Sequence, residues 1–517
     1  MILLRSGAVK VKRTDNFHLF SIMTTNIFAA GLVLTVSILF FVMGHDSNDY
    51  RYALLGVMLF WCYGMFYGMI NLSKLYGYTI MNFMLFVFFL SRPTLAMFYD
   101  TGWTIWNDGI VEKALLLVFV SETALFAGSY FIKQTDRAKS LQINESVNYN
   151  EVIQRALLVI VLITAALSAY STMKNYLHYS SLAYEELYVA HSSSDNIFVR
   201  ASITLCPYAV FAYLATMPSK KNSLLTLAIY IALGLPTFLL GNRASLVLRI
   251  AFAVAYFFIR DYTDSLYSER WIKRSLKIGF ISFVVLSIAF LGAFNYYRSG
   301  LNPNSETSIP IMLDFFYRQG TTFDTVCQGL QYQSDIMSLP QSSAYSIGPI
   351  YDTVKHSTLS KMFFNTTGLG SGNSVTMVMK GNSLAHKLSY VVLGEASYLS
   401  GFGRGSSYLI ELFYDGGIPL VIVFSFIVGA YLASINYLIQ KGSWFVNTIV
   451  IATLDKIFYI PRASTFDFLF FLFTPHFWLI MILAMLVLFY SESKDAFYIT
   501  PDKRLCQQSK QQQNRNR

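Results

Sequence analysis

Six arginines stand singly in short, turn-like stretches of this chain: Arg92 in SRPTLAMFYD, Arg243 in GNRAS, Arg298 in NYYRSG, Arg318 in FYRQG, Arg404 in GFGRGSS and Arg462 in IPRAST. The planar guanidinium presents a fork of donors that matches phosphate and pyrophosphate oxygens. Glu411 follows Arg404 within GFGRGSSYLIELFYDGGIPL, between apolar residues where an unpaired carboxylate is costly. Such a carboxylate either orients an arginine by ion pairing or acts as a base toward a hydroxyl. Isolated arginines with a carboxylate nearby suit a phosphate or pyrophosphate ligand.

The elements that must position these groups are membrane helices. The 517 residues are 54% hydrophobic, 16% aromatic and only 13% charged, too apolar for a soluble enzyme of this length. Apolar runs of roughly the 20 residues needed to cross a bilayer occur near 19–42, 52–72, 75–99, 114–132, 156–170 with its flanks, 198–217, 222–240, 244–259, 276–294, 418–440, 444–460 and 468–490. The expected fold is an all-α integral membrane protein of about twelve transmembrane helices. The first run lacks a small-residue cleavage site and reads as an anchor rather than a removable signal. Nine helices fall in 1–294, a large external loop in 295–407, three helices in 408–490 and a polar tail in 491–517.

Lysine and arginine gather in the N-terminal arm (Arg5, Lys10, Lys12, Arg13), at Lys133, Arg137 and Lys139, at Lys220 and Lys221, at Arg270, Lys273, Arg274 and Lys277, and at Lys441. These alternate with neutral or acidic loops, and the positive-inside preference places both termini in the cytoplasm. The net charge of +10 is then topological, and no nucleic-acid partner is expected. A lone arginine at an external span end is explained by snorkelling to lipid headgroups. The set is not, because those ends should be poor in arginine, and the cluster reads as a lipid-pyrophosphate site.

Two external segments stand out, 171–199 and 295–407. In the second, Ile309, Met312, Leu313, Phe316 and Phe323 recur at helical spacing, and 345–354 is a further short amphipathic stretch. Short helices against the mouth of the bundle are expected, separated by the Gly-, Ser- and Asn-rich run 365–374. Asp314, Asp324 and Glu395 read as surface acids, Asp455 and Lys456 as structural. Tyr296, Tyr297, Phe316, Tyr317 and Tyr408 are candidate stacking faces for a ligand, although loop aromatics more often pack. Cys62 and Cys206 fall in spans, Cys506 in the tail and Cys327 outside, so no disulfide framework is available. His178 and His191 with Glu185 and Glu186, or His356 with His386, form no recognised metal spacing. No internal repeat is visible, which weighs against a transporter.

The GNR turn at 241–244, the Tyr297–Arg298 pair, the late external loop, the 401–417 segment and the PRAS run at 461–464 resemble the Wzy-type O-antigen polysaccharide polymerases of Gram-negative bacteria. The resemblance covers most of the chain in topology. It implies a GT-C-like membrane glycosyltransferase in the bacterial inner membrane, acting at the periplasmic face without a metal or other cofactor. Its donor and acceptor are repeat units on undecaprenyl pyrophosphate, which is released as the glycan passes to the next unit in lipopolysaccharide biosynthesis. Membrane lipid and a chain-length regulator protein complete the expected partners. On this reading Glu411, Arg243 and Arg298 are catalytic, and Arg92, Arg318, Arg404 and Arg462 bind pyrophosphate or glycan. An O-antigen ligase and a lipid-linked oligosaccharide flippase are the alternatives. A ligase is disfavoured because neither histidine of the late loop stands in a matching motif, a flippase because the cations gather at one face.

Overall fold

The computed structural model describes residues 13–99, 101, 103, 106–139, 151–180, 197–264, 271, 309–357, 360, 368–370 and 372–498. Every regular element among them is helical. Helices α1 (Arg13–Ser47) and α2 (Tyr50–Ile70) form a hairpin closed at Asp49, whose carboxylate accepts the Arg51 amide at 2.9 Å and caps α2. Helix α3 (Leu72–Leu85) widens into a π turn at Phe86–Leu90 before α4 (Ser91–Phe98). Pro93 supplies the cause, since it has no N–H for the Phe89 carbonyl four residues back. Then come α5 (Asp108–Lys139), α6 (Glu151–Tyr179), α7 (Ile197–Leu214), α8 (Lys220–Ala232), α9 (Leu235–Leu239) and α10 (Arg243–Asp264). Helix α6 continues to Tyr179, into the stretch expected to be loop from 171.

The described residues between 311 and 399 form short helices, as their spacing predicts: α11 (Ile311–Gln319), α12 (Thr321–Gln331), α13 (Gln333–Met337), α14 (Gly348–Lys355), α15 (Val375–Lys380), α16 (Leu384–Leu393) and α17 (Glu395–Leu399). The chain closes with α18 (Tyr408–Lys441), α19 (Trp444–Leu454), two 3-10 stretches at Ile457–Arg462 and Asp467–Phe473, and α20 (Pro475–Tyr498).

Among the described residues seven helices are long and apolar enough to cross a membrane, or eight if Asp467–Phe473 and Pro475–Tyr490, bent by 60°, count as one span. The expectation was about twelve. The run 276–294 lies outside the described residues. Helix α10 (Arg243–Asp264), which takes in the run 244–259, carries Arg243, Arg249, Arg260, Asp261 and Asp264 along its length. The run 444–460 is α-helical only to Leu454. Asp455 there accepts from the Tyr230 hydroxyl, and Pro461 has no amide for the Ile457 carbonyl, so the stretch continues as 3-10.

The bundle's closest seam joins α5 and α18. A Cβ on Gly128 would lie 2.1 Å from the Phe426 carbonyl oxygen, and one on Gly429 would lie 2.1 Å from that of Leu125. Reciprocal glycines let the two backbones touch, which is how helices associate where lipid removes the hydrophobic drive. Phe126 of α5 packs against Phe60, Tyr63, Tyr67 and Tyr130 with centroids 5.2–5.9 Å apart.

Helix α18 is two limbs. Gly416 and Gly417 leave helical geometry, Gly417 at φ 65° and ψ −161°, a region closed to residues with a Cβ, and Pro419 follows. The Tyr408 and Phe424 rings lie 5.9 Å apart, and Ser121 Oγ meets both Tyr408 Oη (2.5 Å) and Ser425 Oγ (2.7 Å). In a straight helix, positions 408 and 424 would be about 24 Å apart. The limb 408–415 therefore folds back along 418–441 as a short re-entrant helix. Ile410 plugs the small core of the external segment, with Ile336, Tyr345, Leu384 and Leu388.

Candidate anion site at the re-entrant helix

Ser407 caps the re-entrant limb by accepting the Leu409 amide at 3.3 Å, and Glu411 lies one turn further on, fully buried. Its Oε1 accepts from Ser406 Oγ at 2.7 Å. Its Oε2 accepts from the Thr465 amide at 2.8 Å and from Thr465 Oγ1 at 2.9 Å. Ser406 is two residues beyond Arg404, and Thr465 is three beyond Arg462. One buried carboxylate thus staples together two loops far apart in sequence, each bearing an arginine. Buried polar groups need such partners, and here three donors satisfy both oxygens.

The arginines fall into two kinds. Arg92 Nε is 3.1 Å from Asp324 Oδ2 in an ionic contact without hydrogen-bond alignment, and its guanidinium lies 4.5 Å over the Tyr317 ring. Asp324 also accepts the indole N–H groups of Trp103 (2.9 Å) and Trp106 (3.0 Å). Arg318 Nε donates to Asp314 Oδ2 at 2.7 Å, one turn back in α11. Arg462 Nη1 instead donates to the neutral Gln319 Oε1 at 3.1 Å. Arg404 is exposed, and among the described residues its side chain joins no ion pair. Its backbone is fixed, because its N–H donates to Ser389 Oγ at 2.9 Å and its carbonyl accepts from Thr325 Oγ1 at 3.2 Å. Thr325 adjoins Asp324, and Gln319 adjoins Arg318, so one chain of contacts links Arg92, Arg318, Arg404, Arg462 and Glu411.

Arg243 begins α10 after a turn in which Gly241 takes φ 103°; its side chain lies outside the described residues, as does all of Arg298. Tyr296, Tyr297, His191, Glu185 and Glu186 are also outside them. Asp314 and Asp324, expected on the surface, are buried or nearly so, since each neutralises an arginine. Glu395 is exposed and accepts from Tyr390 Oη at 3.2 Å. Phe316 packs on Phe83 and Phe86, Tyr317 lies under Arg92, and Tyr408 is buried, so these three are packing groups rather than open platforms. Asp455 and Lys456 are structural as expected: the first accepts from Tyr230 and the second lies 3.3 Å from Asp467.

The sequence reading passed over Arg249, whose guanidinium sits 4.4 Å over the Tyr230 ring. Its place inside the apolar run VLRIAF was the available signal. Gln319, Ser406 and Thr465 carried no signal of their own. In α16, above the Arg404 loop, burial pushes His386 below its ordinary value, and His386 Nδ1 lies 2.8 Å from Tyr398 Oη. Among the described residues no group of three or more His, Cys, Asp or Glu is arranged to hold a metal ion. Among the described residues Arg404 and Arg462 pair with no carboxylate, and each lies within three residues of a partner of the buried Glu411; guanidinium groups left so suit an anionic ligand.

A family model described as O-antigen polysaccharide polymerase Wzy matches residues 27–494, nearly the whole chain, and the chain belongs to that family. Searches among curated proteins and among solved structures give no match.

Proposed function

We propose that this O-antigen polysaccharide polymerase family member joins oligosaccharide repeat units carried on undecaprenyl pyrophosphate, with Arg404 and Arg462 receiving the diphosphate. The observation that carries the reading is the Glu411 staple, which sets both arginine-bearing loops against one re-entrant helix. Discontinuous helices at membrane level mark substrate sites in other membrane proteins for a physical reason. Irregular backbone is tolerated there only where it is buried or lines a cavity.

In the reaction an acceptor sugar hydroxyl attacks the anomeric carbon of the donor, the bond to the pyrophosphate oxygen breaks, and the hydroxyl proton passes to the departing diphosphate. The bond is already activated, so the main demands on the protein are alignment and stabilisation of charge on the departing diphosphate. Arg404 and Arg462 meet the second demand because no carboxylate among the described residues neutralises them. Glu411 acts as the orienter: both of its oxygens are taken by Ser406 and Thr465, and it has no exposed surface. Arg92, paired with Asp324, ties α4 to α12, and Arg318, paired with Asp314, braces α11 internally. Arg243 and Arg298 enter as further donors along the glycan path on the strength of the sequence alone. The lysine and arginine distribution supports a site at the periplasmic face of the inner membrane with both termini cytoplasmic and 295–407 as the external loop; the expected chain-length regulator rests on the family resemblance.

Deletion of the gene in its host tests the reading. A lipopolysaccharide core bearing a single repeat unit is expected. Complete loss of attached O-antigen would replace polymerase by ligase or flippase.

A further inference from the structure

Helix α14 (Gly348–Lys355) carries one uncovered apolar stripe. Ile347, Tyr351 and Val354, spaced i, i+4 and i+7, are 45%, 37% and 48% exposed. The opposite face is fixed: a Cβ on Gly348 would lie 2.3 Å from the Asn382 carbonyl oxygen, and Asp352 accepts both the amide and the side-chain N–H of Asn382 at 2.6 Å. The stripe cannot rotate inward. At the C-terminal end Lys355 places Nζ 5.1 Å from the Tyr351 ring centre.

Two contacts set the height of this helix. The amides of Tyr345 and Ser346, just ahead of it, donate to Asp415 at 2.8 and 2.7 Å. Asp415 stands immediately before Gly416 and Gly417, where the chain turns into the long limb 418–441. At 1.5 Å per residue that limb is about 36 Å long, one crossing of a hydrocarbon core of about 30 Å. The Gly416–Gly417 end therefore stands at a headgroup boundary, and α14 with it. The same helix packs against Asp467–Phe473, one limb of the bent pair long enough to cross a membrane.

We propose that α14 is an in-plane interfacial helix, with Ile347, Tyr351 and Val354 immersed at the acyl-chain boundary of the adjoining leaflet and Lys355 at its phosphates. An apolar stripe ending in an aromatic hydroxyl and a lysine is what such a boundary selects. Through Asp415 the anchorage holds the external segment at fixed height over the re-entrant helix. The inference stands independently of the polymerase reading, because it rests on depth and exposure alone.

The full-length protein with p-benzoylphenylalanine at position 351 is irradiated in its native membrane and analysed by intact mass. A phospholipid adduct is expected at 351, and none with the same residue at the exposed Ser338. A protein adduct at 351, or no lipid adduct, overturns the proposal. As a second measurement, Val354→Cys in a background with the four native cysteines replaced is labelled with an environment-sensitive fluorophore and placed in bilayer discs. Lipids spin-labelled near the headgroup are expected to quench it about two-fold more than a Ser338→Cys label. Equal quenching at the two positions overturns the proposal.

Discussion

The corner around Arg92 and the pit around Glu411 use the same residue types in opposite ways. At the corner an arginine meets a carboxylate directly, and Asp324 gathers Arg92, Trp103 and Trp106 into one junction. In the pit the carboxylate meets hydroxyls and an amide, while the arginines on either side meet a glutamine or no acid among the described residues. A charge that is paired inside the protein docks parts of the protein. A charge held in place by neutral partners keeps its field for a ligand.

Breaking the pit should cost activity more than stability. Arg404→Ala and Arg462→Ala are expected to lower polymerisation by about 10²-fold or more each, on the scale of losing one preorganised donor. Their unfolding temperature in detergent should match that of the parent. A normal ladder of long chains from either variant would remove that arginine from the site. Glu411→Ala should lose both long chains and stability, the latter by about 1–3 kcal/mol per buried donor left unsatisfied.

At the corner the expectation reverses. Asp324→Ala leaves a buried arginine and two indole N–H groups without an acceptor and should destabilise the protein by about 3 kcal/mol. Thermal unfolding of Asp324→Ala, Arg92→Leu and the double variant Arg92→Leu/Asp324→Leu checks this. The double variant should recover part of the loss, and equal losses in all three would deny that the pair acts as a unit. Arg318→Ala should cost about 1–3 kcal/mol, because it removes the donor from the fully buried Asp314 carboxylate, although Arg318 itself is one-third exposed.

The smallest effect concerns His386. Burial lowers its pKa below the ordinary 6.5, so the folded protein resists a proton that the unfolded chain accepts. Stability should therefore fall as the pH drops through and below 6.5. Melting temperature followed from pH 7.5 to 5 should show this decline, and His386→Gln should flatten it. An identical decline in the variant would assign the effect to other groups.

Much of this was legible in the chain. The apolar runs announced membrane helices, the spacing of Ile309, Leu313, Phe316 and Phe323 announced α11 and α12, and Glu411 stood out as a carboxylate in an apolar stretch that needed a partner. The nature of that partner was not legible. The reading expected an arginine or a reacting hydroxyl, and the structure supplies Ser406 and Thr465. Among the described residues seven or eight of the expected spans meet the length and hydropathy of a crossing helix, because hydropathy registers an apolar run without registering that Asp455 or Pro461 ends its α-helix.

By itself the sequence determined class and inventory: an all-helical membrane chain, short helices between 309 and 399, a set of isolated arginines and one acid embedded among apolar residues. These follow from composition and short-range periodicity, which act over a few residues. Tertiary structure decided which arginines are neutralised and which remain available. It also decided that 408–415 turns back beside 418–441, and that Glu411 holds the Arg404 and Arg462 loops together. Those outcomes depend on contacts such as Arg92 with Asp324, Glu411 with Thr465 and Arg462 with Gln319. Residues so distant along the chain meet only because the packed helices bring them together, and no local pattern encodes that meeting.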